Sequence, residues 1–523
     1  MSHRAGSGFG TVLRAQLRTG WLAPVIWVLA LAGGYIATVA AIDNLYGTPE
    51  ALASYNELVA GNPAMAAING TPYGADTLGG VVSNEFGFIS AVAIPLMGLL
   101  LVVRQTRAQE ERGMLELLRS RSVGARAPWT AALLVSAVSL TLVGLVMALT
   151  LIAYGEDADG AILYGASIVG LGLVFSGIAI FAGQLLRRSS GVTGVGVLIL
   201  GIAYITRAIG DVRANGWKWL SPLAWQQETK PFTDDLRLWP LLLALGVAAV
   251  LVTAGLVLVG RRDLGSAMVA SRPGPGRAGA TLRTTLGIAT RTHVVSGVAW
   301  AVGTFAVAVI FGAFTDIVAD AIETNPEMAA FFPDSSEVNE GYVGFVLVIV
   351  VLMAMGYMGQ SLGKIRAEEA EGRLEVLLAG SVSRYGWSAA HFGVSTVIAL
   401  IIVMVGGAGL QLTASTEVDK IPESTLAFLP AVLVVSGLAF ALFALLPRSS
   451  AVIWLAVGYM VAVSFLGNTL SLPDWALNLS PLYAVGNLPS DDVSAGAEWI
   501  LLAIAVVLIA VGFIGFRRRD VPH

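Results

Sequence analysis

The charges of this chain are not spread along it. They fall in short clusters between long apolar runs, and that spacing decides what the chain can fold into. Twelve runs lie at residues 21–42, 88–103, 128–154, 162–186, 191–206 and 238–260, then 295–315, 342–362, 388–412, 426–446, 451–472 and 498–516. Each approaches the ~17–25 apolar residues that a helix needs to cross a hydrocarbon core. Within such a core, backbone polar groups must be satisfied inside their own segment, which selects helices. Only 13% of the residues are charged and 56% are hydrophobic, whereas a soluble domain carries roughly a quarter charged residues. The expected fold is an all-α integral membrane protein of about twelve transmembrane helices. The first run follows Arg14 and Arg18 but is too long for the apolar stretch of a cleaved signal peptide.

There are no cysteines and four histidines, which excludes disulfides and thiolate chemistry and leaves little for a metal site. A net charge of -4 carries no nucleic-acid signal. Most of the 31 Lys and Arg residues fall in alternate connections if the N-terminus is cytoplasmic, as the positive-inside bias requires. The expectation is therefore a multi-pass membrane protein with both termini cytoplasmic. Lys420 and a group between the fifth and sixth runs (Arg207, Arg213, Lys218, Lys230, Arg237) fall on the opposite side and break the pattern.

The halves repeat in order. Asn62-Pro63-Ala64-Met65 recurs as Asn325-Pro326-Glu327-Met328, Arg188-Ser189-Ser190 as Arg448-Ser449-Ser450, Ser221-Pro222-Leu223 as Ser480-Pro481-Leu482, and Arg261-Arg262-Asp263 as Arg518-Arg519-Asp520. Arg18-Thr19 with Trp27 likewise recurs as Arg291-Thr292 with Trp300. An even number of helices per copy inserts both copies the same way up, as a parallel repeat. The expected organisation is two tandem six-helix units forming a pseudo-dimer, at residues 1–265 and 282–523, with a Pro/Gly-containing cytoplasmic linker at 266–281.

Movement of cargo by such a pseudo-dimer needs an energy source. No ionisable group falls near the centre of a run; Glu85, His391 and Glu498 lie at edges, whereas ion-coupled carriers hold such groups within the membrane. No phosphate-cradling G-x-x-x-x-G-K-[ST] motif is present either. The energy therefore comes from a separate polypeptide, which docks on the cytoplasmic side, and the chain itself is not an enzyme. The docking candidate is the segment after the second helix of each half. The first copy carries Glu110, Glu111, Gly113, Leu115, Glu116 and Leu118; the second carries Glu369, Glu371, Gly372, Leu374, Glu375 and Leu377. As helices they put Leu115 and Leu118, or Leu374 and Leu377, on one face, with Glu111 or Glu371 on its rim. The mid-segment glycine costs about 1 kcal/mol in a helix, so a break or a close backbone approach is expected there. A charged elbow that only ends a membrane helix is the plainer alternative.

At these residues the chain resembles the ABC-2-type exporter permeases, whose signature is similar to Glu111-Arg-Gly113-Met-Leu115-Glu116-Leu-Leu118 and Glu371-Gly372-Arg-Leu374-Glu375-Val-Leu377. The resemblance implies that the elbow is a coupling helix seated in an ATPase subunit. It also implies two ATP-binding cassette ATPase partners carrying ATP and Mg, with no cofactor in this chain. The fused double form looks most like actinobacterial permeases exporting polyketide antibiotics and other drugs, so the implied cargo is a hydrophobic or amphipathic compound moved by alternating access. An amphipathic lead-in before the first helix (9–18 and 282–292) belongs to the same resemblance. So does a pair of short re-entrant helices between helices five and six, which would carry the discordant cations; a plain outer loop is the alternative.

The outer segments 43–86 and 316–341 contain acids and no Lys or Arg, fitting an outer gate or simply a solvated lid. Tyr35, Tyr357, Gln360, Tyr459 and Asn468 lie in or near the runs and are candidates to line a substrate path, although such groups often only bond helix to helix. A twelve-helix ion-driven secondary transporter is the rival reading, and a membrane enzyme or scaffold a third, without a catalytic cluster to support it.

Overall fold

The computed structural model describes residues 8–59, 63–119, 123–269, 276–277, 279–315, 338–414, 418–446, 452–466 and 473–519. Every regular element among them is helical. The chain divides into two compact units, Met1–Pro273 and Gly274–His523, each with its own apolar core. The long helices of the first are α1 (Leu22–Tyr46), α2 (Gly87–Gln105), α3 (Ala127–Ala153), α4 (Ala158–Leu185), α5 (Ser189–Val212) and α6 (Trp239–Val259). Those of the second are α7 (Thr285–Gly312), α8 (Val338–Ala370), α9 (Arg384–Thr413), α10 (Leu429–Leu445), α11 (Val452–Leu466) and α12 (Ala495–Arg518).

Among the described residues, 11 helices are long and apolar enough to cross a membrane. The chain is an all-α integral membrane protein. The exception is α11, whose 15 residues span only about 22 Å at 1.5 Å per residue. The apolar run at 451–472 thus yields a shorter helix than its neighbours, and the end of the run lies outside the described residues.

Small residues set the helix spacing, as expected where lipid removes the hydrophobic drive between helices. A Cβ on Gly177 of α4 would stand 3.0 Å from Leu251 Cβ and 3.2 Å from the Ala248 carbonyl of α6. A Cβ on Gly437 of α10 would stand 2.9 Å from Leu508 Cβ and 3.1 Å from the Ala505 carbonyl of α12. The two units therefore use one packing solution at corresponding positions. Their entrances differ. The first unit has a separate lead-in helix, Phe9–Gly20, whose Gln16 Nε2 donates to the Gln105 and Pro128 carbonyls at 3.1 Å each. In the second, the lead-in is continuous with α7, which starts at a Thr284 cap accepting from the Gly287 N–H at 3.1 Å.

Two short helices, Gly216–Leu220 and Pro222–Gln227, separate α5 from α6; Asp474–Leu477 and Pro481–Val485 separate α11 from α12. In the first unit this region explains how the discordant cations are tolerated. Arg207 is buried and donates through Nη2 to the Ala67 and Ile68 carbonyls at 2.8 and 2.7 Å. Lys218 pairs with Glu228, which also accepts from Tyr73 Oη at 2.7 Å and lies 3.6 Å from Arg237 Nη1. Lys230 pairs with Asp235 at 3.1 Å. These cations are matched by carbonyls of the 43–86 segment and by acids of their own loop, forming a polar cap at the end opposite the elbows. Burial and the Glu228 carboxylate push the Tyr73 phenol up to about 12.

The second Asn-Pro-x-Met copy, residues 316–337, Arg448-Ser449-Ser450, Asp520, Asn468 and linker residues 270–275 and 278 lie outside the described residues, as does the side chain of Leu118. In the first copy, Pro63–Ile68 is a short helix.

Candidate functional site

The elbow of the first unit is built from two short helices, Arg107–Glu111 and Met114–Arg119. The chain leaves α2 at Thr106, whose hydroxyl donates to the Val102 carbonyl at 2.6 Å; such back-bonding bends helices. In the second unit Ile365 takes the place of that threonine, and α8 runs unbroken to Ala370 before the short helix Arg373–Leu378. Both elbows turn at the expected glycine. Gly113 has φ 71° and Gly372 φ 73°, left-handed values that glycine adopts without a steric cost. A Cβ at either would meet nothing within 4 Å. The turn, not a close approach, is why glycine stands there.

Glu110 and Glu369 are buried in ion clusters. Arg262, just beyond α6, grips Glu110 with Nη1 and Nη2 at 2.6 and 2.7 Å. Arg107 Nη1 lies 2.8 Å from the same carboxylate, and the Gly265 N–H donates to it at 2.8 Å. Arg107 also donates through Nε to the Arg187 carbonyl at 2.9 Å and through Nη2 to the Ser266 carbonyl at 2.8 Å. Arg262 Nε donates to Gln184 Oε1 at 2.7 Å. The second unit repeats this: Glu369 accepts from Arg366 Nη1 at 2.8 Å and from Arg519, whose Nη1 donates to the Phe443 carbonyl at 2.9 Å. The Arg519 guanidinium stands 5.0 Å from the Phe443 ring centre, that of Arg262 5.8 Å from Trp129. Each clamp ties the elbow to the end of the sixth helix of its unit and to the foot of the fourth. Arg262 meets Glu110 in the geometrically rigid bidentate mode, whereas in the second unit Arg519 and Arg366 take one oxygen each of Glu369.

The remaining elbow residues divide by exposure. Leu115 and Leu374 are buried, at 2% and 0% exposure, and Leu377 packs on the core of its unit; the expected apolar face points inward. Glu111 and Glu116 are exposed, Glu111 accepting from the Ser189 N–H at 2.8 Å at the start of α5. Glu371 is exposed and pairs with Arg373, which also donates to Glu368 at 2.9 Å, a clip across the Gly372 turn. The Glu368 carboxylate raises the Arg373 guanidinium above its ordinary value. Glu375 is partly exposed. The apolar side chains standing out of the elbows are Met114 (45% exposed) and Val376 (76%), neither singled out by sequence. The clamps were also missed, although both of their halves recur in the chain. The signal that finds them is that Arg-x-x-Glu and Arg-Arg-Asp repeat together.

Among path candidates, Tyr35 is buried between Phe86 and Tyr164, with ring centres 5.1 and 6.1 Å away. Tyr357 is buried in the core of the second unit. Gln360 is exposed and accepts from Trp300 Nε1 at 3.1 Å. Tyr459 donates to the Ala476 carbonyl. The structure adds one group: His391 is fully buried beside His293, Nδ1 to Nε2 3.3 Å, and His293 Nδ1 lies 3.0 Å from Ser361 Oγ.

Residues 282–517 match the family model described as multidrug efflux system permease Rv1217c, C-terminal domain. Over 540 residues the chain is 33% identical to the multidrug efflux system permease protein Rv1217c of Mycobacterium tuberculosis, covering 99% of this chain and 97% of that relative.

Proposed function

We propose that this chain, which belongs to the family of multidrug efflux system permeases, is the membrane-spanning subunit of an ABC-2-type exporter. Two ATP-binding cassette subunits would dock on its elbows, from a cytoplasm that also holds both termini, and supply ATP and Mg. Their closure would push the elbows, and the clamps would pass that push to the sixth helix of each unit. The cargo is a hydrophobic or amphipathic compound, moved outward by alternating access. The observation that carries this reading is duplication of the whole device. Each unit has the same left-handed glycine, the same buried carboxylate and the same arginine from beyond the sixth helix. An elbow that merely ended a helix would not need that rigid attachment. The docking contacts assigned to it are Glu111, Glu116, Glu371 and Glu375 with Met114 and Val376. Leu115, Leu374 and Leu377 support the elbow from inside, and Glu110 and Glu369 transmit its motion.

The test is reconstitution with the partner ATPase in vesicles. Extrusion of an amphipathic dye should require ATP, and Glu116→Arg with Glu375→Arg should lower both stimulated ATP turnover and extrusion at least tenfold. Among the described residues, the buried His293–His391 pair favours the ion-driven alternative, since such transporters need ionisable groups within the helices. Extrusion by the chain alone under an ion gradient, abolished by His391→Ala, would establish that alternative and overturn the proposal.

A further inference from the structure

The entrance to the sixth helix differs between the units in its large side chains. In the first unit three indoles crowd it. Trp225 Nε1 donates to the Trp219 carbonyl at 2.8 Å, the rings of Trp219 and Trp239 stand 4.6 Å apart, and Trp225 packs on the unit's core. The Ser-Pro-Leu repeat sets Asn478 and Ala484 at the positions of Trp219 and Trp225, and the Arg-Arg-Asp repeat sets Gly496 at that of Trp239. Where the indoles are absent the second unit has a cavity of about 640 Å³, bounded by α10, α11, α12 and the short helices before α12. Val435, Leu438, Ala484 and Ile504 make its apolar wall, and Tyr459 and Asn478 bring polar groups to it. The seam beside it is also less closed. Ser221 Oγ donates to the Ala203 carbonyl of α5 at 2.6 Å in the first unit, whereas the buried hydroxyl of Ser480 has no hydrogen-bond partner among the described residues.

A cavity of this size, mostly apolar with a few polar groups, has the make-up of a small-molecule site. We propose that it binds a flat aromatic amphiphile, which takes the place of the indoles that the first unit carries in its own sequence. The aromatic body would lie against Ala484 and the apolar wall. The Asn478 amide, exposed at the cavity, would hydrogen-bond a polar group on the ring system. An acyl chain fills apolar space but cannot use that amide, which is why the aromatic occupant is the one inferred. The proposal rests on the export reading in naming the class of cargo, yet the site itself stands apart from ATPase docking.

Binding is measured on the purified full-length chain, without ATPase, by the fluorescence of Hoechst 33342, a flat aromatic amphiphile with N–H donors. The native chain should bind the dye saturably. Ala484→Trp, which restores the first unit's indole, should weaken binding at least tenfold, and Asn478→Ala at least threefold, while Ala484→Ser retains it. Asn478 is exposed, so its variant reads the site even if the bulkier one fails to fold. Native affinity in both Ala484→Trp and Asn478→Ala overturns the proposal. So does bound lipid that is lost from Ala484→Trp while dye affinity stays unchanged. Because no ATPase is present, a failure of elbow docking leaves this result untouched, and the reverse also holds.

Discussion

Gly113 and Gly372 hold backbone angles that cost an L-residue about 1–2 kcal/mol, with free space around them. Gly113→Ala or Gly372→Ala should therefore lower stability by about that amount through conformation alone. Asn, which tolerates left-handed angles, should cost less; thermal unfolding in detergent distinguishes the two. The clamps are more sensitive. Glu110 is 3% exposed, with Arg107 and Arg262 at 1% and 6%, and removing one partner of a buried pair leaves an uncompensated charge worth about 3–5 kcal/mol. Glu110→Gln and Glu369→Gln should each lower the melting temperature clearly, and adding Arg262→Met or Arg519→Met to the matching variant should recover part of the loss. The glycines were legible in the sequence because a costly residue recurring mid-helix demands a turn. The inward role of Glu110 and Glu369 was not, because one-dimensional spacing does not show that the residue after the sixth helix returns to the elbow.

At the scale of elements, apolar run length located the long helices well. It did not show that α11 is short, or that the second lead-in merges with α7, since hydropathy is blind to where a helix pauses. The cap of the first unit was read only as a discordant cluster of cations, because the Ala67 and Ile68 carbonyls and the Tyr73 hydroxyl that complete it arrive from the distant 43–86 segment. One consequence is a pH dependence. Burial raises the Glu85 carboxyl above its ordinary value, while Tyr55 Oη, donating at 2.6 Å, partly offsets this. A carboxyl raised on folding stabilises the native state below its unfolded value, near 4.3. That contribution is lost as pH rises through the folded value. Glu85→Gln should flatten the decline in stability as pH rises from about 4.3 towards neutrality, measured as melting temperature against pH. A decline identical to that of the native chain would show that Glu85 does not cause it.

At the scale of the molecule, the duplicated elbow–clamp assembly carries the account, and the absence of cysteine from the sequence makes its docking role directly measurable. Single cysteines at Met114, at Val376 and, as a control at the opposite end of the second unit, at Trp475 are all placed on exposed side chains. The most direct measurement is cross-linking of each variant to the co-expressed ATPase subunit with a short maleimide–succinimidyl ester reagent, which joins the introduced thiol to a lysine amine of the partner. The account predicts covalent heterodimers from the Met114 and Val376 positions and none from Trp475. Cross-links from Trp475 with none from either elbow would contradict it.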